Sequence, residues 1–245
     1  MKALFLSLCL LAATVSAKEI KKPIGFEEKV YNATLALYAD SEGWGLPTHR
    51  EYLCTVTAFR KVTGGYLLIG AGHCEWGNSY FAEYFVTSEI DGELQPVTLL
   101  TRPENMLLDV DYAVYFYPTK LTIPVIPLGN EADEHIGSKT ISVSFPLAAT
   151  KILARAEIVS NIITTEKMIQ AGPDKYKVNG FFLVNEIGNH GSSGSTIVSV
   201  DSHKIIGLLI SAMDGVTSMP LFIQPITPII EKLSKLSNLP SEAKF

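Results

Sequence analysis

The chain has 245 residues and a formal net charge of −5, with 18% charged residues and no basic stripe, so a nucleic-acid partner finds no support. Beyond its first residues it holds no apolar run long enough to cross a bilayer as a helix, which leaves no membrane role after those residues are removed. With 47% hydrophobic residues it has material for one large β domain or two small ones.

Lys2 followed by the apolar residues 3–15 and by Val15-Ser16-Ala17, a small-x-small pattern, reads as a secretory signal peptide cut after Ala17. The mature protein is then secreted or periplasmic. Cys9 follows Leu8 rather than a small residue, so it is no lipid anchor and leaves with the peptide. Cys54 and Cys74 remain. An even pair in an exported chain favours a disulfide closing a loop of about twenty residues, worth about 3 kcal/mol in the loop-entropy picture. The alternative is two buried free thiols.

Residues 18–50 read as a polar leader with a short helix over 27–39, and Asn32-Ala33-Thr34 matches a glycosylation acceptor. From Tyr52 onward the pattern is β. Cys54-Thr55-Val56-Thr57-Ala58-Phe59 is rich in β-branched and aromatic residues, Gly64-Gly65 marks a turn, and strands are expected over 66–69, 80–86, 97–100 and 112–117. Residues 118–127 hold three prolines and form an extended connector. A second set of strands follows over 140–145, 152–158, 181–185, 196–200, 204–210 and 218–224. Met213-Asp214-Gly215-Val216 suits a tight hairpin. Thr227-Pro228 suits a helix start, and Ile229, Ile230, Leu233 and Leu236 give that helix one apolar face. Two groups of short strands and a terminal helix indicate an all-β protein of paired barrels or a sandwich.

Three short motifs carry the chemistry. Gly191-Ser192-Ser193-Gly194-Ser195 flanks a serine with glycines, which let backbone N–H groups turn toward a developing oxyanion. Gly70-Ala71-Gly72-His73-Cys74 ends an apolar strand with a histidine suited to general-base work. Asp111-Tyr112-Ala113-Val114 places an acid at the entry to another apolar strand. Asp109 lies on the same strand face, and spacing alone leaves both acids open. The order His, Asp, Ser contradicts α/β-hydrolases. His49, His135 and His203 sit in polar contexts, no cluster has metal-ligand spacing, and no phosphate or dinucleotide fingerprint is present.

Together these motifs resemble the trypsin-like (chymotrypsin-fold) serine protease family, in its bacterial and viral branch rather than the digestive one. The resemblance covers roughly residues 51–236. It implies two six-stranded antiparallel β-barrels and a C-terminal α-helix. The expected division is a leader at 18–50, a first barrel at 51–130 bearing His73 and Asp111, a second at 131–226 bearing Ser193, and a helix and tail at 227–245. It implies a catalytic Ser193, His73 and Asp111, an oxyanion hole of the Gly191 and Ser193 N–H groups, and a Cys54–Cys74 disulfide bracing the histidine loop. Gly70, Ser195 and Thr196 depart from the family's usual threonine, glycine and proline.

Ile187 stands six residues before the serine, where the family places the base of the pocket for the P1 residue, and it cannot pair a buried cation. Leu209, Ile210 and Ser211 form a second wall, and His190 is placed to touch substrate. The resemblance thus implies an endopeptidase acting on protein or peptide through an acyl-enzyme, with apolar or small P1 preference and no cofactor or metal. Ser192 replaces the aspartate that pairs a new N-terminus in animal zymogens, so no activation by N-terminal insertion is expected. The rival from another class is a catalytically silent homologue that binds peptides or proteins.

Overall fold

A computed structural model describes residues 25–41, 49–75, 81–87, 92–102, 110–146, 150–162, 167–171, 174–178, 180–186, 191–211 and 220–235. Helix α1, Phe26–Ala33, opens it. Six strands follow: β1 Thr34–Ser41, β2 His49–Val62, β3 Gly65–Gly70, β4 Phe81–Thr87, β5 Leu94–Thr101 and β6 Ala113–Pro118. They close into an antiparallel barrel in the order β1-β2-β3-β6-β5-β4.

The helix expected over 27–39 stops at Ala33. Thr34 turns extended and its hydroxyl donates to the Val30 carbonyl at 3.0 Å. The residues after it form β1, which pairs with β2 on one side and β4 on the other. Pairing on both edges overrides the helix propensity of its Leu and Ala residues. Thr34, the hydroxyl residue of the Asn32 triplet, is fully buried.

The second group comprises β7 Lys139–Ser144, β8 Ile152–Glu157, β9 Lys167–Ala171, β10 Asp174–Val178, β11 Phe182–Val184, β12 Thr196–Ser199, β13 Ile205–Ser211 and β14 Leu221–Pro225. Six of these form a sheet in the order β11-β14-β13-β12-β7-β8, and an antiparallel bridge between Ile158 and Val184 brings its two edges together. Strands β9 and β10 form a separate hairpin that the sequence reading does not contain. The fold is nearly all-β, with two six-stranded antiparallel units, as expected from the resemblance.

Helix α2, Ile226–Ser234, begins before Thr227 rather than at it. Its orphan N–H groups take their cap from a distance: Glu131 Oε2 accepts from the Thr227 N–H at 2.9 Å and from its hydroxyl at 2.7 Å. A carboxylate at a helix N-terminus is favourable on both hydrogen-bonding and dipole grounds.

Both barrels share one apolar cluster. It joins Leu67, Ile69 and Val114 of the first to Ile141, Val143 and Leu208 of the second. Val30 of α1 and Ile229 of α2 complete it, so both helices seal the seam. The connector between the barrels is stitched to each: the Ile126 N–H donates to Ala58 O at 3.0 Å, and the Ile205 N–H to Pro127 O at 2.9 Å. Three buried threonine hydroxyls also cross the seam, with Thr34 to Thr57 at 3.3 Å and Thr57 to Thr196 at 3.1 Å. Thr196 therefore has a local reason to stand where the family favours proline.

Candidate active site

Strand β3 is buried at every position and delivers the chain into a 3₁₀ turn, Gly72–Glu75, that carries His73. The turn is fixed from two sides. Cys74 is bonded to Cys54 of β2, with Cα atoms 6.2 Å apart, so the expected disulfide is present. Asp111, just ahead of β6, accepts from the His73 backbone N–H at 2.9 Å through Oδ1, and its Oδ2 lies 2.7 Å from His73 Nδ1. Asp111 is only 2% exposed. Burial pushes its carboxyl up, but the His73 ring and the N–H groups of His73 and Gly72 outweigh this and hold it below the usual carboxylate range. A buried carboxylate bonded at Nδ1 fixes the proton there and makes Nε2 the ring's basic position. Asp109 lies outside the described residues.

The serine loop enters from the second barrel and is held by the first. Gly191 has φ +91° and Gly194 φ +81°, a region that L side chains rarely occupy. The Gly191 carbonyl accepts from the Tyr52 hydroxyl at 2.6 Å and from the Thr55 hydroxyl at 3.0 Å. The Ser193 carbonyl accepts from the Thr55 N–H at 3.0 Å. A Cβ on Gly194 would stand 2.3 Å from Thr55 O and 2.8 Å from the Ala71 nitrogen. The serine loop thus lies directly against the segment that leads into His73. Tyr52 is also pushed up by burial, so its hydroxyl stays a donor.

With the Gly191 and Ser193 carbonyls bound to first-barrel donors, each carbonyl has a fixed direction. Backbone N–H groups in such a loop can then face one point, the arrangement that stabilises an oxyanion. Loop closure is completed by the Gly194 N–H to Leu209 O at 2.8 Å and the Leu209 N–H to Ser195 O at 2.8 Å.

Of the expected specificity residues, Ile187 and His190 lie outside the described residues. Leu209 packs with Val184, Ile197 and Leu221 in the second barrel's cluster, Ile210 is 2% exposed, and Ser211 ends β13 opposite Phe222. The Met213-Val216 hairpin lies outside the described residues as well. The sulfurs of Cys54 and Cys74 and a His73 nitrogen lie within 4.8 Å of one another, but both sulfurs are committed to the disulfide and offer no thiolate to a metal. A cavity of about 730 Å³ opens elsewhere, between α1 and β7–β8, lined by Phe26, Glu27, Thr140, Arg155 and His203; none of the candidate residues borders it. Among the described residues no helix is long and apolar enough to cross a membrane.

Two groups near the loop carry no sequence signal of their own. Tyr52 is one, 139 residues away from its partner. Glu186 is the other: it is buried, with Oε1 accepting from the Ser142 hydroxyl at 2.5 Å.

Two packed six-stranded antiparallel units followed by a C-terminal helix make the chymotrypsin-like double-barrel fold. Among solved structures, the HtrA-type protease AlgW with tripeptide is similar, with a TM-score of 0.61 at 18% identity over 85% of this chain and 60% of that one. The Rv3671c protease from M. tuberculosis in its active form is similar at a TM-score of 0.63 and 12% identity, over 86% of this chain and 83% of that one. AlgW with decapeptide has a TM-score of 0.61 at 15% identity, over 82% and 64%. The chain spans about 60% of AlgW's length, and at these identities the likeness is one of fold. No family model and no curated protein matches the chain.

Proposed function

We propose that this chain is an exported serine endopeptidase. The observation that carries the reading is the His73–Asp111 couple: a buried carboxylate bonded to Nδ1 at 2.7 Å, on a turn that packs against the serine loop. Ser193 attacks the scissile carbonyl, and His73 takes its proton at Nε2 and returns it to the leaving amine. Asp111 holds the ring, and the N–H groups of Gly191 and Ser193 bind the oxyanion. Water then hydrolyses the acyl-enzyme. The same couple is what argues against the silent-homologue reading, which needs no oriented imidazole.

The substrate is a protein or peptide with an apolar or small P1 residue, a preference supported by the apolar Ile187 where an acid would be needed to pair a cation. Export is supported by the apolar run at residues 3–15 and by the Cys54–Cys74 disulfide. Labelling by a fluorophosphonate probe tests the reading. Wild-type protein should react and Ser193→Ala should not; a folded, oxidised wild type that stays unlabelled would refute it.

A further inference from the structure

Strand β7 presents two serines two residues apart on one face, Ser142 and Ser144, and both are buried. Each faces one end of the segment that runs to the candidate nucleophile. The Ser142 hydroxyl donates to Glu186 Oε1 at 2.5 Å, and the Ser192 hydroxyl lies 3.4 Å from that of Ser144. Glu186 is 6% exposed and Ser192 2% exposed. The second carboxyl oxygen, Oε2, is buried and has no partner among the described residues.

That orphan oxygen makes the proton count decisive. A neutral carboxyl leaves one polar atom unpaired, whereas a carboxylate leaves a charge in the interior with one hydrogen bond to offset it. Burial accordingly pushes the Glu186 carboxyl up to about 7 against the opposing bond from Ser142. Among the titratable groups on neighbouring elements, Lys139 and Glu157 are exposed. Glu157 meets Asn185, the residue before Glu186, through its backbone: its carbonyl accepts from the Asn185 N–H at 3.1 Å and its N–H donates to Asn185 Oδ1 at 2.6 Å. Arg155 binds Glu27, and Lys151 lies over the rings of Tyr31 and Phe145. On the sheet's other strands Lys204 is exposed, and His190 of the loop lies outside the described residues.

We propose that Glu186 is a protonation-dependent positioning residue: neutral, it pins the start of the Ser193 loop to β7, and on ionisation it lets that end go. The inference rests on the proposed function, since it assigns a regulator to that same loop. Activity would then fall on the alkaline side as the carboxyl ionises.

The test is the rate of fluorophosphonate labelling across about pH 5 to 10 in wild type, Glu186→Gln and Glu186→Ala. If only the protonated form is competent, the wild-type rate drops by up to about tenfold per pH unit above the carboxyl's pKa. Glu186→Gln, neutral at every pH and able to accept from Ser142, should keep its rate. Glu186→Ala should be slow throughout, and if it does not fold the glutamine variant decides alone. Wild type and Glu186→Gln sharing one pH profile would overturn the proposal.

Should wild type label at no pH, the proposed function fails and the tether is judged without it, by melting Ser193→Ala with and without Glu186→Gln. The unfolded chain releases this proton near 4.5 and the folded one near 7. The stabilisation is therefore complete below 4.5 and lost as pH rises through 7. The melting temperature should drop across that window only when Glu186 is present, and equal slopes would overturn the tether.

Discussion

The hydroxyl of Tyr52 in the first barrel donates a 2.6 Å hydrogen bond to the carbonyl of Gly191 in the second. It fixes the peptide next to the candidate oxyanion donors from a strand that contributes none of the three candidate catalytic side chains. Tyr52→Phe keeps the ring and removes the bond, while Thr55 still binds the same carbonyl. We expect turnover to fall by about 3- to 10-fold, the worth of one net hydrogen bond, with KM little changed. Steady-state kinetics on a peptide ester checks this; a rise in KM alone would mean that Tyr52 binds substrate instead.

Asp111→Asn should lower turnover by about 10⁴-fold, the scale of losing the group that sets the imidazole tautomer. Its folded carboxyl is depressed, so its contribution to stability is present above the unfolded value of 3.8 and is lost as pH falls through the lower folded one. Acid unfolding of the asparagine variant should lack that component. A variant that retains near wild-type turnover would transfer the role to another acid, with Asp109 first in line.

Gly194→Ala places a Cβ 2.3 Å from Thr55 O at a φ of +81°. Left-handed strain and overpacking together should cost about 2 to 5 kcal/mol and pull the serine loop off the first barrel. Urea unfolding and probe labelling should both register the change.

Thr57→Val is close to isosteric and deletes the middle hydroxyl of the chain from Thr34 to Thr196. Thr34 keeps its bond to Val30 O, so the main loss is a partner for Thr196. The expected cost is about 1 to 3 kcal/mol by chemical denaturation. An unchanged midpoint would show that water replaces the lost hydroxyl.

The histidine and aspartate motifs were legible because each sits at an end of an apolar strand, His73 where β3 runs into a polar turn and Asp111 just ahead of β6. Most second-barrel strands were legible through alternation and turn residues. Strand β1 was not: Thr34-Leu35-Ala36-Leu37 has helix-forming composition, and only pairing with β2 and β4 makes it extended. The cap on α2 was misplaced because Glu131 supplies it from 96 residues away. Tyr52 and Glu186 escaped notice because what singles them out is a partner in space, 139 and 44 residues distant, and not a neighbour in the chain.

The loop around Ser193 takes its shape from Tyr52, Thr55 and the backbone at Ala71, all in the first barrel. Either half folded alone would therefore display no arranged site. Under the proposed function, hydrolytic power is a logical conjunction of two folded halves, so a half-made or half-unfolded molecule would be chemically mute toward its neighbours. For the proposed endopeptidase this is a safeguard against indiscriminate damage during its own synthesis.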